Sequence, residues 1–194
     1  MTAEELREKI AELWFESIGL QSPWIASEIC AAQANLCAAL DNQDPEEEFR
    51  KSYRLPSCVK HLQNALDYLN GAKLDRGHWE NYLAPETQTR LIAENFKLAR
   101  GPEGQHPIKL LLEKAWLARS MRKPAAEALE AVLEAWEQVG KIASSDLLSF
   151  NWQTFCVWNV YREVGGCATQ EGRFREKLIM LIPEAHAFAE ANKA

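Results

Sequence analysis

No Cys-x-x-C pair, no glycine-rich phosphate loop and no Gly-x-Ser-x-Gly turn occurs in this chain of 194 residues. Each absence removes a class of chemistry. Without G-x-G-x-x-G or a P-loop, no glycine cradle of either form can hold a nucleotide's phosphates. Without the strained serine turn there is no hydrolase nucleophile of that kind, and Cys30 and Cys156 lie in apolar helical stretches that blunt thiol reactivity. Histidine is scarce: His61, His78, His106 and His186 are scattered, with no H-E-x-x-H and no Cys/His cluster at zinc spacing. Helical di-iron sites need a set of Glu-x-x-His pairs projecting from facing helices, a set this chain does not hold. No metal and no cofactor are therefore expected. Apolar runs fall well short of the roughly 20 residues that span a bilayer, and the acidic N-terminus is unlike a signal peptide. Five cysteines without paired spacing fit reduced thiols in the cytoplasm. Cys30 and Cys37 stand two turns apart on one helical segment and read as small core residues.

What is present is helical periodicity. Leu55, Val59, Leu62, Leu66 and Leu69 recur at intervals of four and three, as do Ala125, Leu129, Val132, Trp136 and Val139. Phe174, Leu178, Leu181, Ala185 and Phe188 form a third stripe, and Ala11, Phe15 and Ile18 a short fourth. Only a helix collects such positions on one face, and each face then needs a covering surface. No comparable alternation of period two appears. With 47% hydrophobic and 26% charged residues, the composition is that of an ordinary globular domain. The expected fold is all-α: a single-domain bundle, residues 1–194, of seven to eight mostly antiparallel helices.

Punctuation supports the division. Thr2 and Glu5 make a capping box for a helix ending at Ile18 and Gly19. Ser22-Pro23 opens a helix through Leu40. Asp44, Pro45 and Glu47 open another, which Pro56 should break or kink before a second piece runs from Ser57 to Asn70. Residues 72–84, with Gly77, His78, Trp79 and Tyr82, suit a short helix or an aromatic-pinned loop. Ala84-Pro85-Glu86 starts a helix to Arg100. Gly101, Pro102, Gly104 and Pro107 then mark an exposed loop or hinge at 101–107. Helices are expected over 108–122, from Ala125 to Val139 before Gly140, and from Ser144 or Ser145 to Gly165-Gly166. The last of these is apolar on nearly every side and so should be central or lie at an interface. A final helix from Thr169 should be interrupted at Pro183.

Segment 111–136 resembles a tetratricopeptide unit in Ala115, Trp116, Ala128 and Trp136. That makes a short helical-hairpin solenoid the alternative architecture. Against it, Lys123-Pro124 leaves too short a turn, and no second copy of the pattern occurs.

Charge is segregated. Residues 1–48 hold eleven acidic and two basic side chains; residues 97–123 hold seven basic and two acidic, in a chain of net charge −6. Lys97, Arg100, Lys109, Lys114, Arg119, Arg122 and Lys123 form the candidate binding patch. At i, i+3 and i+4, Arg119, Arg122 and Lys123 would share a helix face able to meet phosphates or an acidic protein surface. The ordinary alternative is a solvated face. Trp79, Tyr82, Trp14 and Phe15 are either interface anchors or core aromatics.

Two arginine–histidine pairs, Arg54 with His61 and Arg100 with His106, resemble the motif of HEPN-class ribonucleases. The resemblance implies histidine as acid or base and arginine steadying phosphate charge. Both intervals contain proline, and Leu55 and Gly101 stand where that family has a polar residue. The expectation is accordingly a non-enzymatic helical interaction module, such as an adaptor or small subunit of a larger protein or nucleoprotein assembly. The alternatives are a nucleic-acid-binding helical subunit using 97–123 and a divergent HEPN-like ribonuclease. Expected partners are a protein, nucleic acid through the basic patch, or further copies of the chain, and not a membrane.

Overall fold

A computed structural model describes residues 1–40, 47–72, 100–101, 104–105, 107–121, 123–143 and 150–192. They form seven helices: α1 (Ala3–Ser17), α2 (Pro23–Leu40), α3 (Glu47–Leu69), α4 (Pro107–Ser120), α5 (Ala125–Ala143), α6 (Phe150–Glu163) and α7 (Glu171–Ala191). The fold is an all-α bundle, as the periodicity implied. Asp44, Pro45, the stretch 73–99, and Ser144 to Leu148 lie outside the described residues, so the helix starts expected there are not addressed.

α1 begins as its sequence dictates. The Glu5 N–H donates to the Thr2 hydroxyl at 3.2 Å, and the Glu5 carboxylate accepts the Thr2 N–H at 2.7 Å. α2 runs from Pro23 to Leu40, as read from Ser22-Pro23. At the end of α6, Gly165 adopts φ 86°, the left-handed conformation that releases a glycine-capped helix.

At three expected stops the helix continues. α3 passes through Pro56, α7 through Pro183 and α5 through Gly140. A proline inside a helix costs about 3 kcal/mol and a glycine about 1. Buried residues sit on both sides of each proline: Leu55, Cys58 and Leu62 around Pro56, and Leu178, Leu181 and Ala185 around Pro183. Burying one such large side chain contributes about 1.5–3 kcal/mol, so keeping the seam unbroken outweighs the lost backbone bond. Arg100 does not end a helix. Arg100–Gly101 instead pairs with Gly104–Gln105 as a two-residue antiparallel ladder within the expected loop.

α1 turns a different face inward from the one its short stripe suggested. Leu6, Ile10, Leu13, Trp14 and Ser17 are buried, whereas Phe15 is 42% exposed. Trp14 explains the rotation. Its ring stacks on Trp136 of α5 at 5.2 Å and 17°, and the Trp136 Nε1–H donates to the Trp14 carbonyl at 3.3 Å. In α5 Val132, Trp136 and Val139 of the expected stripe are fully buried, joined by Ala128, Ala131 and Ala135, while Ala125 is exposed.

α2 sits centrally, against α1, α3, α5 and α6. Ala26, Cys30, Ala31, Ala32, Ala34 and Ala39 are buried along it, and small side chains let several helices approach one axis. The sequence pattern had given the segment ending at Gly165-Gly166 either a central place or an interface, and its Cys156, Val157, Trp158, Val160, Tyr161 and Val164 are buried. α6 does meet α2, α4 and α5, but it exposes Arg162 and Glu163. α7 folds back antiparallel along α1, where Lys177 Nζ donates to Glu12 and Glu16 at 2.6 Å each and Lys9 Nζ to Glu184 at 2.5 Å. It also meets α3, and Arg175 donates to the Leu69 carbonyl at 2.6 Å. A solenoid touches only its sequence neighbours. The return of the last helix to the first is bundle topology.

Candidate interaction surface

The basic stretch is not one face. α4 ends at Ser120, and the Lys123 N–H closes onto the Ala118 carbonyl at 3.0 Å, turning the chain before Lys123 is reached. Arg119 and Lys123 therefore belong to different elements, which corrects the i, i+3, i+4 reading. Arg119 hydrogen-bonds the backbone carbonyl and the carboxylate of Glu163, the latter at 2.9 Å, and lies over the Trp116 ring. Lys123 pairs with Glu127 at 3.0 Å in the first turn of α5. Lys114 is exposed. Lys97 and Arg122 lie outside the described residues, as do the side chains of Arg100 and Lys109.

The structure instead reveals a feature that charge counting overlooked. α4 buries Ile108, Leu112, Ala115 and Ala118 and turns Leu110, Leu117 and Met121 outward, at 46%, 59% and 61% exposure. At about 100° per residue these three fall within a narrow strip opposite the buried face. Trp116, also 41% exposed, lies about 110° round the helix from this strip. Isolated apolar side chains on a surface are ordinary; a line of them along one helix marks a contact site. The signal was present in the sequence. Residues 108, 110, 111, 112, 115, 116, 117, 118 and 121 are all apolar, too many for one seam to absorb.

On the other side of α4, where Arg119 meets Glu163, α6 carries an arginine–tryptophan pair of its own. Arg162 lies over the Trp158 ring, 4.8 Å from its centroid, and the Trp158 Nε1–H donates to the Leu20 carbonyl at 2.9 Å. A shallow depression of about 400 Å³ is lined there by Trp158, Asn159, Arg162 and Glu163.

Of the two arginine–histidine pairs, the first lies on α3. Arg54 donates to Asn35 at 3.2 Å, and His61 Nδ1 lies 2.7 Å from Glu28, which also accepts from Asn64 at 3.1 Å. Arg54 and His61 thus share the side of α3 that faces α2, each held by its own partner. His106, of the second pair, lies outside the described residues, as do His78, Trp79 and Tyr82. Trp14 is core. Burial pushes the thiols of Cys30, Cys58 and Cys156 up to about 12, the opposite of nucleophile activation. Among the described residues no cluster of three metal-ligating side chains occurs, and no helix is long and apolar enough to cross a membrane.

No protein-family model, no curated protein and no solved structure matches the chain.

Proposed function

We propose that this protein is a non-enzymatic helical interaction module that docks a protein partner on the outer face of α4. The observation that carries the reading is the Leu110–Leu117–Met121 strip, turned to solvent on a helix whose opposite face is already buried. Covering such a strip removes apolar area from water, at about 25 cal/mol per Å². Glu113 and Lys114, both exposed, flank the strip. The ion pairs of Arg119 and Lys123 favour this over phosphate binding, because charge already paired within the chain releases fewer counterions on meeting a polyanion.

A photo-cross-linking side chain placed at Leu117, with exposed Glu130 of α5 as control, tests the proposal in cells. The expected result is a discrete protein adduct at 117 that is absent at 130. Equal or no labelling at the two positions overturns it. A nuclease-sensitive adduct transfers the surface to nucleic acid and overturns it as well.

A further inference from the structure

We infer that the occupant of this surface is a second copy of the chain, with two α4 helices lying parallel about a two-fold axis. The inference rests on the reading of α4 as a docking face and names what docks there. From Leu110 to Met121 the strip runs eleven residues, ~16 Å of helix. It is one helix long and one side chain wide, a match for another helix.

Charge decides which helix, and in which direction. Glu113 and Lys114 are both exposed and flank the line through Leu110 and Leu117, about 50° to either side of it. A two-fold axis running along the helices sets each flank against the opposite flank of its mate. Glu113 then faces Lys114 of the partner subunit, and Lys114 faces Glu113 of the partner subunit. Leu110, Leu117 and Met121 each meet their own counterparts across the axis. Antiparallel pairing would set like flanks together, glutamate on glutamate and lysine on lysine, a repulsive arrangement. The strip is therefore complementary to itself in one orientation.

Such a contact is at the small end of specific interfaces, so a dissociation constant on the order of micromolar is expected. Sedimentation velocity on the full chain from roughly 1 to 300 µM brackets that range. A concentration-dependent dimer is expected, with Glu113→Lys or Lys114→Glu weakening it by about tenfold. Combining the two reversals restores association, because each lysine again faces a glutamate. In a Cys167→Ser background, Leu117→Cys should form a symmetric interchain disulfide under mild oxidation, whereas Glu130→Cys should not. Circular dichroism establishes that these surface variants fold. A monomer across the whole range overturns the inference. So does a double variant as weak as the singles, or the lack of the 117–117 cross-link. A monomer whose residue 117 still cross-links to another protein leaves the proposed function standing and removes only the self-pairing; absence of both results removes the docking face itself.

Discussion

A methyl group at residue 19 has nowhere to go. A Cβ on Gly19 would stand 2.4 Å from the Thr169 hydroxyl and 2.7 Å from the Cys167 carbonyl oxygen. The contact is tight because residues 167–169 cap α1. The Thr169 N–H donates to the Gly19 carbonyl at 2.8 Å, and its hydroxyl to the Glu16 carbonyl at 2.6 Å, satisfying carbonyls that a helix end leaves open. Gly19→Ala should destabilise the protein by about 1–3 kcal/mol, read as a lower urea midpoint; an unchanged midpoint would show that the 167–169 segment yields. The cysteines give a second prediction at this scale. With Cys30, Cys58 and Cys156 buried and their thiols pushed up to about 12, a thiol reagent near neutral pH should label exposed Cys167 rapidly. Those three should react only on unfolding. Rapid modification of any of them in the native protein would contradict their burial.

Between elements, the contact of α1 with α7 is the one with a definite pH response. The hydrogen bond from Lys177, together with its charge, holds the Glu12 carboxyl below its ordinary 4.5. Burial alone would lower the Lys177 ammonium, but Glu12 and Glu16 together outweigh it and raise it above 10.5. A lowered carboxylate stabilises above its unfolded pKa and loses that contribution as pH falls through the folded one. A raised ammonium does so below its unfolded pKa and loses it as pH rises through the folded one. The tie is thus complete between about 4.5 and 10.5. Glu12 is largely exposed, so the contribution is about 0.2–1 kcal/mol. Lys177→Met should lower the melting temperature near neutral pH, with the gap to the parent closing as pH falls below 4.5. A gap independent of pH would mean that the lysine acts only through its aliphatic stem. Legibility also differed between elements. The capping box of α1, the start of α2 and the glycine stop after α6 could be read in advance, because each rests on a few neighbouring residues. The unbroken courses of α3, α5 and α7 could not, since the burial that overrides Pro56, Gly140 and Pro183 comes from helices remote in sequence.

Across the whole molecule, buried side chains from all seven described helices join in one hydrophobic cluster. One core implies one cooperative transition. Tryptophan fluorescence, which Trp14 and Trp136 report from the α1–α5 stack, should melt together with helical circular dichroism. Two separated transitions would divide the chain into independent units. The candidate site was half legible at this scale. The sequence displayed the excess of apolar residues in 108–121 and the cluster of lysine and arginine around it. It could not show which apolar positions would find partners, nor that Arg119 would reach Glu163 across 44 residues of chain.

The sequence by itself determined that the backbone would coil. Helical period, caps and stops are local properties, set by interactions within a few residues. The stripes of α3, α5 and α7 also marked their inward faces, whereas tertiary structure alone decided the inward face of α1, the central place of α2 and the uncovered side of α4. The Trp14–Trp136 stack turned α1 away from Phe15, small side chains drew α2 to the centre, and the bundle covered one side of α4 while leaving Leu110, Leu117 and Met121 outward. The physical reason is that burial depends on the shape and volume of whatever lies opposite, and that surface is supplied by residues far away in the chain.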